Sequence, residues 1–218
     1  MKKSLFKFSV RDITEMAVMV ALAVVLDKFV KIQIGANGGS INIATVPLFI
    51  IAFRHGWFKA FIASGIVFGL ITNLLDGYGF NTYPFEYLLA FGSVAVSGLF
   101  GKLIFDNYSK KNIGNKGIAI ALIILCVAIH FVARLLFATI DSMLFYEVDF
   151  AGGIAYNISY IGPTCLAVLV TLIVLSPAIM SINKIYPTTL IQEEIESDDS
   201  IESDESIESD DSIEKEND

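Results

Sequence analysis

Three short segments of this 218-residue chain place polar, chemistry-bearing side chains inside an otherwise apolar sequence. In the first, Tyr83-Pro84-Phe85-Glu86-Tyr87, Thr82 is placed to cap a helix, Pro84 suits its first position and Glu86 falls in its first turn. A carboxylate there has two readings: it is favoured by the helix dipole wherever it points, or it faces inward and neutralises a cationic or amine-bearing ligand, with Tyr83 and Tyr87 beside it. In the second, His130 and Arg134 share one helix face at i and i+4. His130 is readable as a packing residue or a ligand contact. Arg134 needs a partner or water, and Asp141, seven residues on and on the same face, is one candidate. In the third, Ala155 to Pro163, Asn157 and Tyr160 are hydrogen-bonders that either face inward or serve as cap and interface residues.

Catalysis is the weaker expectation. No G-x-x-x-x-G-K-[ST] loop is present, so the chain does not power itself by nucleotide hydrolysis. The two histidines, His55 and His130, lie on different elements without the spacing of a metal site, and no G-x-S-x-G elbow occurs. Cys126 and Cys165 both sit in apolar runs, which suggests neither a disulfide framework nor a metal site. No catalytic residue, metal or cofactor is expected, and a lipid environment rather than nucleic acid surrounds such a sequence.

The elements that position these residues are read from hydropathy. The chain is 55% hydrophobic, too apolar for an ordinary soluble domain. A membrane span needs about 20 mostly apolar residues, and six candidates follow: 13–30, 41–53, 60–75, 84–105, 117–140 and 154–179. The second is short by that standard. An independent check is that Lys and Arg collect in cytoplasmic loops. Lys2, Lys3, Lys7 and Arg11, then Arg54 and Lys59, then Lys102, Lys110, Lys111 and Lys116, then Lys184 fall on one side. Asp76, Asp141, Glu147 and Asp149 fall on the other, with Lys28 and Lys31 as exceptions. The expected fold is all-α and integral to the membrane: six transmembrane helices with both termini cytoplasmic.

Residues 1–187 form this transmembrane unit, with 14 bases against 9 acids, while residues 188–218 carry 14 acids and one lysine. The tail repeats SDDSIE, SDESIE and SDDSIE with a period of six. Such a tract lacks the apolar surface to fold and is expected to be a disordered, solvated extension. Along the first helix, Ala17 and Ala21, continued by Ala23, place small side chains that permit close helix contact, either within the molecule or against another membrane protein.

As a set, three segments resemble the substrate-binding S components of energy-coupling-factor (ECF) vitamin transporters, and the thiamine-specific family most of all. They are GGSINIATVPLFIIAFRHGWFKAFIASGIVFGL (Gly38 to Leu70), EYLLAFGSVAVSGLFGK (Glu86 to Lys102) and AYNISYIGP (Ala155 to Pro163), with the GGS-x-N start of helix two and the acid-Tyr-x-x-AF start of helix four the most specific. The resemblance covers most of residues 13–180. It implies an S-component-like bundle in a prokaryotic plasma membrane that binds thiamine from outside, for import driven by a transmembrane coupling subunit and two ATPase subunits. It assigns the family's acidic ligand residue and the Tyr after it to Glu86 and Tyr87, the fifth-helix histidine to His130 and the sixth-helix Asn to Asn157. The coupling-subunit contact falls on Ala17 and Ala21. A thiazolium cation and an aminopyrimidine want a carboxylate, aromatic faces and a few hydrogen-bonding groups.

Departures from the family pattern bear on the ligand. Its first-loop Trp is absent, the aromatic two turns after the histidine is Ala138, the Tyr before the Asn is Gly152, and the Arg one turn before the histidine is Cys126, while Arg134 sits one turn after. Tyr78, Phe80, Tyr83 and Tyr156 are candidate replacements for the aromatic cage. Two alternatives remain at this level: an S component for another vitamin or precursor such as riboflavin, biotin or a pyridoxine-like compound, or a membrane interaction scaffold whose acidic tail recruits a basic partner.

Overall fold

The computed structural model describes residues 7–35, 38–110, 112–186 and 188. The acidic tail, apart from Thr188, lies outside the described residues. Helix α1 (Val10–Phe29) starts at a reciprocal cap in which Ser9 Oγ accepts from the Asp12 amide at 3.0 Å and the Asp12 carboxylate accepts from the Ser9 amide. Such a box satisfies two of the helix's orphan donors.

After α1 the chain forms an antiparallel hairpin of β1 (Lys31–Gly35) and β2 (Gly38–Asn42), with Lys31 opposite Asn42 and Gly35 opposite Gly38. The expected start of helix two at Ile41, with GGS-x-N as its opening, is therefore corrected: GGSIN is a strand, and α2 (Thr45–Phe61) begins three residues later. Polar and apolar residues alternate through Lys31, Ile32, Gln33 and Ile34 with the strand period of two. The Asn42 side chain then starts α2, accepting from the Ala44 amide at 3.0 Å.

Gly56 divides α2. Its φ of 79° and ψ of 174° are non-helical, a conformation that glycine adopts without a Cβ clash. The ion pairs show that the chain reverses there. Before the bend, Asn42 donates to Asp27 at 3.1 Å; after it, Asp76 at the end of α3 (Gly69–Asp76) takes Lys28 at 2.6 Å. Both contacts lie at the outer end of α1. Between them Arg54 binds Glu15 and Lys59 binds Asp12, about 22 Å away at the inner end, given 1.5 Å of rise per residue. Residues 45–55 thus run inward and 57–76 outward. The backbone between the bend and α3 widens into a π-wound stretch, Ile62–Phe68.

The fourth crossing strings together Phe80–Thr82, a π-wound Tyr83–Leu89, α4 (Ala90–Gly92) and a tight 3-10 stretch, Ser93–Leu99, then bends by 45° into α5 (Gly101–Ser109). Its inner end packs on the Gly56 bend so closely that a Cβ on Gly98 would lie 2.4 Å from the Trp57 amide nitrogen. Helices α6 (Ile113–Phe145) and α7 (Phe150–Ile185) complete six crossings; α7 continues through Pro163 and Pro177. By length and composition the 45–76 segment, α6 and α7 each suffice to cross a bilayer. Only 28% of the most apolar stretch of α6 and of α7 is buried within the protein, so exposed side chains such as Leu125, Val132, Leu166 and Val170 face lipid, while Ile123, Val127, Ile161, Val168 and Leu172 pack inward.

The inner end is held by charge. Lys59 is fully buried and Arg54 is 2% exposed. Lys59 Nζ lies 2.8 Å from the Asp12 carboxylate, Arg54 forks onto Glu15 and reaches Asn183 at 3.3 Å and the Tyr186 carbonyl at 3.2 Å, and the Arg54 carbonyl accepts from Thr188. His55 lies between Asp12 and Glu15 at 3.6 and 3.5 Å. The cluster ties α1, the bend and the end of α7 together. Removing one partner of a buried ion pair leaves an uncompensated charge and costs about 3–5 kcal/mol. Asp12→Ala is therefore expected to lower the unfolding temperature of the detergent-purified protein sharply, whereas Lys110→Ala, at an exposed position just after α5, is expected to leave it within a degree or two.

Candidate functional site

At the outer end the six crossings leave a cavity of ≈280 Å³. Its walls come from every part of the chain: Asp27 and the hairpin (Lys31, Gln33, Gly39, Ser40, Asn42), Thr72 and Asp76, Tyr78 and Thr82, Glu86, Tyr87 and Phe91, then Arg134 to Val148 of α6 and its following loop, and Gly153 to Tyr160 of α7. Of the residues expected from sequence, Glu86, Tyr87, Tyr156 and Asn157 line it. Tyr83 and His130 do not. The Tyr83 ring stacks on Phe80 at 5.1 Å and 18°. His130, one turn inward of Arg134, is buried against Phe49 at 5.4 Å and joined to Ser93 at 2.7 Å.

Glu86 and Tyr87 are presented by the π-wound stretch, which turns more slowly than an α-helix; such windings recur at functional sites. Thr82 precedes it but makes no side-chain cap, correcting that expectation: its hydroxyl donates to the Gly79 carbonyl at 3.1 Å and accepts from Asn73 at 3.3 Å. The Tyr87 hydroxyl donates to Asp76 at 3.1 Å, and Asp76 shares Lys28 with Asp27. This network joins the outer ends of α1, α3 and the fourth crossing. It also accounts for Lys28, an exception to the charge rule at the outer end of α1, by pairing it with two carboxylates.

Asn157 is 1% exposed and fixes the α6–α7 wall: its amide donates to Ser142 at 3.1 Å and Thr139 at 3.5 Å, and its oxygen accepts from Tyr160 at 2.8 Å. The hairpin closes on this wall. Thr164 donates to the Ser40 carbonyl at 3.2 Å, and Gly39 has φ +85° with the Tyr160 ring so near that a Cβ would lie 2.8 Å from Cδ1.

The charges are unequal. Asp27, Asp76, Glu86 and Asp141 face Lys31 and Arg134. Lys28 pairs with both Asp27 and Asp76, one positive charge against two negative, while Glu86 and Asp141 enter no ion pair among the described residues. The expected pairing of Arg134 with Asp141 is corrected: at i and i+7 they are about 10 Å apart along the helix axis, and no salt bridge joins them among the described residues. Arg134 instead lies over the Phe91 ring at 4.7 Å. Aromatic faces come from Tyr78, Tyr87, Phe91, Tyr146, Tyr156 and Tyr160. Burial pushes the Tyr146 phenol above its ordinary value, so it stays a neutral donor. Sequence reasoning missed Lys31, Gln33 and Ser40, although the strand alternation of residues 31–34 signalled a polar face, and it missed Tyr146, for which the sequence carried no signal.

A family described as thiamine transporter protein (Thia_YuaJ) matches residues 13–184. The chain belongs to that family. It is 28% identical to thiamine transporter ThiT of Bacillus subtilis over 188 residues, covering 78% of this chain and 94% of that protein. A solved structure of ThiT from Listeria monocytogenes matches with a TM-score of 0.62 at 27% identity, covering 78% of this chain and 97% of that one. Membership places the chain among multi-pass membrane transporter components rather than enzymes.

The tightest joint of the site is Gly39 on Tyr160. A side chain there meets both the left-handed φ and the ring, at a cost of about 1–3 kcal/mol for the backbone alone. Gly39→Ala is expected to lower the unfolding temperature and to increase proteolytic cleavage within residues 31–42, measured by limited proteolysis of the purified protein.

Proposed function

We propose that this family member is the thiamine-binding S component of an ECF-type transporter, capturing the vitamin from the outer side. The observation that carries the reading is the pair of carboxylates, Glu86 and Asp141, left without an ion pair in an aromatic-walled cavity. Excess negative charge beside several ring faces suits a flat organic cation. A volume near the lower end of the range of about 300–1,000 Å³ for small-molecule sites suits a small ligand. In this reading Glu86 offsets the cation or accepts from the amine, Tyr87, Tyr156 and Tyr160 offer ring faces, and Asn157 holds the wall in register. His130 acts from behind that wall, through Ser93 and Phe49, and Tyr83 through its stack on Phe80.

Import then requires partners that hydrolyse ATP, since the sequence holds no phosphate-cradling loop; the transmembrane coupling subunit and two ATPase subunits fill that role. Ala17 and Ala21 are exposed on the outer face of α1, whereas Ala23 is buried. With Val18, Leu22 and Val25 they form an apolar face in which two small residues leave room for a closely approaching helix.

Calorimetric titration of the detergent-purified protein is expected to show tight binding of thiamine and none of riboflavin, biotin or pyridoxine. Glu86→Gln is expected to weaken it by about 1.5–3 kcal/mol, the worth of a hydrogen bond to a charged group. Preferential binding of one of the control vitamins would replace the ligand while leaving the architecture. Ala17→Trp or Ala21→Trp is expected to abolish co-purification with the coupling subunit and to leave the titration unchanged.

A further inference from the structure

Arg134 and Asp141 are 5% and 4% exposed, and both line the cavity. Among the described residues, Arg134 Nε and Nη1 and Asp141 Oδ1 have no hydrogen-bond partner. Phe91 covers a face of the guanidinium, which does nothing for the N–H groups in its plane. Buried polar atoms are nearly always partnered, and each exception calls for a reason. Here two exceptions of opposite charge stand on one helix, seven residues apart, facing one space.

We infer that Arg134 and Asp141 are specificity-determining ligand contacts: Arg134 donates to a lone-pair acceptor at the inner end of the ligand, and Asp141 faces a cationic or hydrogen-donating group at its outer end. The inference rests on the thiamine reading and orients the molecule. The ring nitrogens of the aminopyrimidine are its strongest neutral acceptors, so that ring lies inward on Arg134. The thiazolium, with its hydroxyethyl arm, then lies outward, on the same side as Asp27 and Asp76. The fixed fork of a guanidinium presents its donors in one plane, which suits the edge of a flat heterocycle. The inward Arg134 also stands one turn from Ala138, where the aromatic expected from the family pattern is missing, so polar recognition at this depth takes the place of a ring contact.

The test is a cycle between side chain and ligand, read by calorimetry on the full chain. It uses thiamine and an analogue in which both pyrimidine ring nitrogens are replaced by CH. Wild type is expected to prefer thiamine by roughly 10–100-fold, and Arg134→Met to bind both equally at the level wild type shows for the analogue. Arg134→Lys, which keeps the charge but not the fork, is expected to retain only part of the preference. Asp141→Asn is expected to weaken thiamine and analogue alike while preserving their ratio. Because a buried charge without a partner destabilises the empty protein, the ligand-free unfolding temperature of Arg134→Met is expected to hold or rise. Wild-type affinity in Arg134→Met, or a lost unfolding temperature with the preference intact, overturns the inference and makes Arg134 a packing residue. A wild type that does not bind thiamine overturns the functional reading itself.

Discussion

Everything at the outer face depends on two positive charges buried at the inner one. Lys59 and Arg54 have almost no contact with solvent, and in a bilayer an ionised group without a partner carries a cost that no local packing offsets. Asp12 and Glu15 in the first two turns of α1 meet that demand, and in doing so they pin the Gly56 bend to one end of α1. With the bend fixed, two crossings of 11 and 20 residues (45–55 and 57–76) must return their far ends to the other end of α1. There the Asn42–Asp27 and Lys28–Asp76 contacts receive them. A cavity bounded by β2, α3 and the fourth crossing exists because those ends cannot splay apart.

The two ends of the molecule treat polarity differently. At the inner end Lys59 and Arg54 find acceptors within the chain, while the His55 ring nitrogens stand 3.6 and 3.5 Å from the same carboxylates without a hydrogen bond, and the result is a clamp held by charge. At the outer end the rim is satisfied through Lys28, Asp27, Asp76 and Tyr87, but in the interior Arg134 Nε and Nη1 and Asp141 Oδ1 have no hydrogen-bond partner among the described residues. A fully satisfied network rigidifies, whereas an unsatisfied one holds stabilisation in reserve for a molecule that completes it. That division, a closed frame around an incomplete interior, is what a binding subunit without catalytic groups requires.

Much of this was legible in the sequence, and the limits of the rest are physical. Apolar runs gave the six crossings, and the Lys/Arg asymmetry gave their direction. The same asymmetry counted Arg54 and Lys59 as loop charges, since composition reports which side a base is on and says nothing of its burial. The hairpin was hidden because Gly38–Asn42 runs without a break into the apolar start of α2, and five alternating residues are too few to outweigh that run. Glu86, Tyr87 and Asn157 stood out as polar residues at the ends of apolar spans and Tyr156 as a candidate replacement for a missing aromatic, and all four line the cavity. Tyr83 was grouped with Glu86 by neighbourhood in sequence, but the π winding of Tyr83–Leu89 shifts the angle between successive side chains in a way no residue pattern announces. The pairing of Arg134 with Asp141 looked sound on a helical wheel, which projects out the axial distance that keeps them apart.

The Gly56 bend also sets where the molecule carries its light. Trp57 is the single tryptophan of the chain, half-exposed beside the bend and against Phe58. It therefore sits at the opposite end of α1 from the cavity, beyond the reach of direct quenching by anything bound among the outer tyrosines. Its emission reports on the inner rim alone, whereas the tyrosine signal is shared between the cavity and the inner Tyr108 and Tyr186. The protein thus carries one optical window that belongs to a single mouth of the bundle, without any added label.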